Sequence, residues 1–291
     1  MKRKAHPASI VLVCLYTALV LFPIGWMVLT SVKDPGDTML RNPKLIPARQ
    51  GVRDSVKFRP TLENFAGIFE REGAWHGLLN SAIVAPISTV ASVFLGAFAA
   101  YGFSRFRVAG SKDWQFFILS TRMLPALAVS VPISWMYAKL DHLAGTAILT
   151  DTTFGLILLY TCFNLSFSTW MMKAFMDEVP IAYEEAALLD GYSRVQVLFK
   201  IVLPQVMAGL LATAVFCLIA AWNEFAFALI LTKKHANTMP VFLDAIAGDT
   251  SKVPIGRLAA GAVLFMTPIV LFGLLMRKHL LRGVTFGAVK G

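Results

Sequence analysis

Long apolar runs separated by short polar segments set the pattern of this chain. Six runs approach or exceed the roughly 20 residues that a helix needs to cross a bilayer. They predict spans over residues 9–31, 78–103, 114–138, 152–172, 201–231 and 258–276. The fifth is long enough to tilt or to project beyond the bilayer. The expectation is an all-α membrane protein, with six transmembrane helices in a single domain over residues 1–291.

Small residues refine this picture. Span two carries Ser88, Ser92, Gly96 and Ala100, each four apart, and span five carries Gly209, Thr213, Cys217 and Ala221 at the same interval. Such stripes let helices approach closely in lipid. Pro86, Pro125, Pro132 and Pro268 interrupt spans. Breaks of this kind are tolerated where protein or a water-filled path satisfies the freed carbonyls. Between spans one and two, Leu62, Phe65, Ala66 and Phe69 repeat at helical spacing. They predict a short amphipathic helix that lies on the membrane face or covers the mouth of the protein.

The longest polar interruption in the second half, Pro180 to Gln205, reads as two short helices with a hinge. Pro180 suits a first helical position. Gly191 is the residue best able to take the left-handed turn that ends the first helix. Ser193 and Gln196 have the spacing of a capping box for the second. Ala182, Ala186 and Leu189 share one helical face, and Glu184 and Glu185 place carboxylates where the helix dipole favours them. Residue types alone leave two readings open, a solvated loop or a docking surface.

Composition narrows the function class. The chain is 57% hydrophobic and 15% charged, against roughly a quarter charged in soluble domains. Its net charge is +10. In such a chain excess Lys and Arg report topology and contact with membrane lipids. No basic stripe on a soluble domain suggests nucleic-acid binding. The run after MKRK is too long for a cleaved leader, so it reads as a retained first helix. An even number of spans puts both termini on one side, and MKRK with the RKHLLR run after span six makes that side cytoplasmic. The loop over 173–200 then lies inside the cell. The first outer loop runs against the charge rule with eight Lys/Arg, but it also carries six acids and is long enough to cross more tolerantly.

Cys14, Cys162 and Cys217 lie within apolar runs without metal-ligand spacing. The sequence has no GxxxxGK[ST], HExxH or GxSxG pattern. No catalytic, metal or cofactor site is expected in this chain. Polar residues inside spans are functional candidates by default. Asn164 could hydrogen-bond a hydroxylated solute or hold two helices together. Trp222, Asn223 and Glu224 form a second cluster, in which Glu224 would face an outer vestibule or a partner chain. Arg122 lies at a different depth from Glu224 and can snorkel towards the inner headgroups.

The stretch Glu185-Ala186-Ala187, then Gly191, Ile201, Leu203 and Pro204, resembles the EAA motif of ABC-importer permeases with every spacing kept. LENF at 62–65, Asn80-Ser81, AAYGFSRFR at 99–107, WNEF at 222–225 and the tail RGVTFGAVKG are similar to the carbohydrate branch, the maltose-type second permease subunit. The resemblance implies a type I importer bundle in a bacterial inner membrane, with 173–200 as its coupling loop. Glu184, Glu185, Ala186 and Ala187 would engage an ATPase, Gly191 would set the hinge, and Ile201, Leu203 and Pro204 would pass motion into span five. It also implies a heterodimer with a homologous permease, two ATP-binding subunits that hold ATP and Mg, and a periplasmic solute-binding protein. Asn164, Trp222, Asn223 and Glu224 would border the solute path. A stand-alone secondary transporter or channel is the alternative, but it should show an inverted repeat or buried coupling carboxylates.

Overall fold

The computed structural model describes residues 7–38, 46–47, 57–71, 73–248 and 254–286. The MKRK terminus and residues 287–291, both used above, lie outside the described residues. The described elements are helical apart from two two-residue strands, β1 (Ile46–Pro47) and β2 (Lys57–Phe58), which pair in parallel. Residues 1–75 with 242–268 form one compact unit, and residues 76–241 with 269–291 form another.

In the first unit, α1 (Pro7–Ser31) is apolar on all sides and leaves Leu12, Leu19 and Phe22 exposed. A helix of that composition matches hydrocarbon around it. The predicted short helix exists as α2 (Glu63–Phe69), and its apolar set leaves the face opposite it to pack. Asn64, Gly67 and Ile68 are buried, whereas Leu62 is 70% exposed and Phe69 also faces outward. Hydrogen bonding and close packing decide this orientation. Asn64 Nδ2 donates to the Ser31 carbonyl at 3.0 Å and to the Lys33 carbonyl at 2.6 Å. A Cβ at Gly67 would crowd the Arg257 guanidinium, and one at Gly256 would crowd Asn64.

The remaining helices are α3 (Ala74–Arg105), α4 (Ser111–Ser120), α5 (Ala126–Ala144), α6 (Thr153–Asp177), α7 (Ile181–Leu189), α8 (Arg194–Val197), α9 (Leu203–Gln205), α10 (Met207–Trp222), α11 (Ala226–Leu231), α12 (Met239–Ala247) and α13 (Ile255–Phe286). Among the described residues four helices are long and apolar enough to cross a membrane, and two bent pairs bring the number to six.

Both bent pairs fall in predicted spans, and the third span bends at a proline expected to interrupt it. The third turns by 94° between Met123 and Ala126. Pro125 causes this: the residue before a proline is pushed out of the helical region, and Leu124 is extended with ψ 133°. The fifth turns by 81° at Val206, one turn after a π-helical segment over Leu198–Val202. Pro204 lacks an N–H for the Lys200 carbonyl and its ring crowds that carbonyl, so the helix widens there.

The second unit is built around α6. The two small-residue stripes flank it. A Cβ on Gly96 of α3 would overlap Ser168, and one on Gly209 of α10 would overlap the Phe175 ring. Ser88, Ser92, Ala100, Thr213, Cys217 and Ala221 are all buried. The stripes therefore hold two helices of this chain against a third, by the close backbone approach that drives helix association in lipid.

Candidate functional site: the hairpin after α6 and its anchor

The hairpin has the local chemistry that its sequence predicts. α7 ends in a Schellman motif: the Tyr192 N–H donates to the Ala187 carbonyl at 3.0 Å and the Gly191 N–H to Leu188 at 3.1 Å. Gly191 has φ +88°, a conformation side-chain-bearing residues rarely take. Ser193 and Gln196 form the reciprocal capping box that opens α8.

The two faces of α7 do different jobs. Ile181, Ala182, Tyr183, Glu185 and Ala186 are exposed, and Leu189 is 89% exposed. Glu184 and Ala187 are buried at 1% and 6% exposure. Of the motif residues, then, Glu185 and Ala186 lie on the free face. Ala187 faces a core shared with Ala97, Ala100, Met172, Met176, Val197 and Val202. Ile201 and Leu203 pack against that core, and Pro204 sits at the bend.

Glu184 is drawn inward by partners that sequence reasoning did not pair with it. Arg105 at the end of α3 forms an ion pair with its carboxylate. The Tyr101 hydroxyl donates to Oε2 at 2.9 Å. Arg105 Nη2 also donates to the carbonyls of Met176 at 2.8 Å and Val179 at 3.0 Å, just where α6 runs out of helical partners. Its Nη1 donates to Ser104 Oγ at 2.7 Å, and Ser104 reaches Asp177 at 2.5 Å. Each nitrogen of the guanidinium and both oxygens of the carboxylate have a partner, which is the condition for a tolerable buried ion pair. The segment AAYGFSRFR held the signal, but periodicity gives no means of pairing residues 79 positions apart.

The in-span candidates separate into different environments. Asn164 is 4% exposed and donates to the Cys217 carbonyl at 3.2 Å, joining α6 to α10. Arg122 approaches its Oδ1 at 3.4 Å and lies over the Phe167 ring at 5.1 Å. The guanidinium thus sits beside mid-α6 and does not run to the inner headgroups. Glu224 accepts from the Tyr160 hydroxyl at 2.6 Å and from the Phe227 and Ala228 N–H groups at 2.9 and 3.2 Å. This carboxylate closes the start of α11. Trp222 is buried, and Asn223 is exposed with its amide on the Ile219 carbonyl.

A second anchored element lies at the other end of α6, about 37 Å away for a 25-residue helix. Asp151 accepts backbone N–H bonds from Lys233, Lys234, His235 and Ala236 at 2.9 to 3.2 Å. Burial raises its carboxyl pKa, but those four donors outweigh burial and the net value is below the ordinary one. Asn80 donates to the His235 and Asn237 carbonyls at 2.9 Å each, and Ser81 accepts from the Met239 N–H. Asn80 and Ser81 thus fix one loop, over 232–239.

Known proteins share this architecture. The chain is 34% identical to a trehalose transport system permease protein, SugB, of Mycobacterium tuberculosis, over 97% of this chain and 96% of that one. It is 31% identical to a trehalose/maltose transport system permease protein, MalG, of Thermococcus litoralis, over 95% and 94% of the two chains. Its fold matches a chain of a bacterial ABC transporter involved in import of the acidic polysaccharide alginate, with a TM-score of 0.70 at 19% identity, covering 93% and 94%. Residues 92–286 match the family described as binding-protein-dependent transport system inner membrane component, and the chain belongs to that family.

Proposed function

We propose that the chain is one of two unlike permease subunits of an importer for a sugar or related polyhydroxylated solute, driven by two separate ATP-binding subunits. The observation that carries this reading is the free face of α7. A nine-residue helix holds one side in a packed core and leaves Ile181, Tyr183 and Leu189 exposed on the others. Exposed apolar side chains rimmed by polar ones mark a protein contact. Ala182 and Ala186 between them leave room for a partner backbone. Glu185 supplies a carboxylate at the edge.

The chain is the membrane component of its transporter and not the enzyme. ATP and Mg belong to the partner ATPase. Its closure on ATP draws the two coupling helices together, and the bundle turns outward to receive solute from a periplasmic binding protein. Both termini and the hairpin lie on the cytoplasmic side. The sugar assignment is supported by relatives named for trehalose and for trehalose and maltose. In the solute path, the exposed Arg122 offers hydrogen-bond donors at mid-helix depth, with Asn164 behind it. Asn223, with Trp222 and Glu224 behind it, borders the path nearer its outer end.

Purifying the tagged chain from native membranes tests the reading. An ATP-binding subunit and a second permease should copurify. Burying a leucine side chain stabilises a contact by about 1.5–3 kcal/mol, so Leu189→Asp should strip the ATPase while the permease pair stays together. A chain that purifies alone and moves solute without ATP would instead be a secondary transporter.

A further inference from the structure

α7 presents a docking face, and force applied there has to reach the membrane. The usual expectation follows the chain: from α7 through Ile201–Pro204 into the fifth span. The contacts tell a different story. Along the chain, the route from α8 to α10 crosses a π-helical segment, the Pro204 turn and an 81° bend at Val206. Widened turns and prolines are places where a helix gives. A cavity of about 270 Å³, lined by Phe175, Glu178, Pro180, Gln205, Val206 and Gly209, lies beside this bend. Open volume there leaves the bend space to change angle.

Across space, the connection is stiff. Glu184 is 1% exposed, and the Arg105 side chain that pairs with it is 5% exposed. Arg105 simultaneously holds the carbonyls of Met176 in the last turn of α6 and of Val179 just beyond it, and Tyr101 holds the second oxygen of Glu184. Three helices thus meet on one guanidinium and one carboxylate, over a shared apolar core. Gly209 adds a close contact of α10 on Phe175, where one helix can pivot on another without parting.

We propose that Glu184 and Arg105 form an internal latch that joins α7 to the inner ends of α3 and α6, making one lever of the three. The lever turns about the Pro204–Val206 bend, and α10 moves relative to it. Glu184 and Arg105 are positioning residues: they face neither the ATPase nor solute. This proposal rests on the importer reading, since it needs a nucleotide-driven force at α7.

The test is a pair of distances in the assembled transporter, with the three native cysteines replaced. Spin labels at Val195 of α8, which moves with the lever because Val197 shares its core with Ala187 and Met176, and at Phe94 of α3 span the lever, and both positions are exposed. Labels at Val195 and Phe216, also exposed, span the bend. Between nucleotide-free and ATP-bound states, the first distance should hold and the second should shift. If both shift together, the latch is overturned while the importer reading stands. If neither responds to ATP, the importer reading falls and takes the latch with it.

Glu184→Gln supplies the functional arm. It should leave the complex assembled and hydrolysing ATP, while solute uptake falls about tenfold or more, the scale of a typical coupling energy. The Val195–Phe94 distance should broaden in the same variant. Normal uptake with an unchanged distance would overturn the latch. A role in folding alone would lower abundance, hydrolysis and uptake in proportion, and would also overturn it. If Glu184→Gln fails to accumulate, the wild-type distance pair still decides the question.

Discussion

Replacing Gly191 separates backbone strain from every other effect, because the site is sterically open. A Cβ added there meets nothing within 4 Å, so size carries no penalty, and φ is +88°. An L-residue held in the left-handed region costs roughly 1–2 kcal/mol, and Asn costs less because its side chain bonds locally. Gly191→Ala should therefore destabilise the hairpin by about 1 kcal/mol, a factor of about five in its open population. Gly191→Asn should cost less than Gly191→Ala, and Gly191→Val more, since a β-branched residue is a stronger outlier there. Gly191→Pro should be worst, at about 3 kcal/mol or more. It forces φ to the opposite sign and removes the N–H that Leu188 accepts. Limited proteolysis of the purified transporter between α6 and α10 reads the open population, and uptake by the same variants reads the consequence. The order Gly, Asn, Ala, Val, Pro should hold in both assays. Alanine equal to glycine, or better than asparagine, would refute the argument that a positive φ is what position 191 needs.

Three further expectations follow from the other contacts. Gly96→Ala should push α3 from α6 at Ser168 and cost about 1–3 kcal/mol as overpacking, read as a lower unfolding temperature; an unchanged temperature would mean the helices are not in close contact. Asp151→Asn should destabilise at neutral pH, because a carboxyl whose folded pKa is lowered adds stability above its unfolded value of about 3.9 and loses it as pH falls through the folded value. The gap between wild type and variant should close in melting curves below about pH 4, and a gap constant with pH would show the charge to be irrelevant. Glu224→Gln replaces one acceptor of the set that holds Tyr160 and the start of α11. It should lower stability by about 1–3 kcal/mol with solute KM unchanged, whereas a raised KM with normal stability would return the carboxylate to the solute path.

Residues that act on near neighbours were legible in the sequence. The hairpin's helix end at Gly191, its capping box at Ser193 and Gln196, and the four unbroken long apolar helices all follow from local pattern. The small-residue stripes announced close helix packing, although only the structure shows that α3 and α10 both use α6. Legibility stopped where a proline or a distant partner decides the outcome. Pro125 was visible as a break, but not the 94° turn it makes. The apolar set of α2 was legible, but not that Asn64 on its other face gains two backbone acceptors. Arg105 with Glu184, and Asp151 with the 233–236 backbone, are contacts between residues far apart in sequence. AAYGFSRFR and Asn80-Ser81 carried the resemblance without revealing that each anchors one end of the bundle.

The central claim is that the free face of α7 meets an ATPase. A photo-crosslinking residue placed at Leu189 in native membranes tests it in one experiment. The account predicts a single dominant adduct with an ATP-binding subunit, lost when Ala186→Arg blocks the same face. Crosslinks to lipid alone, in cells that still take up solute, would contradict it.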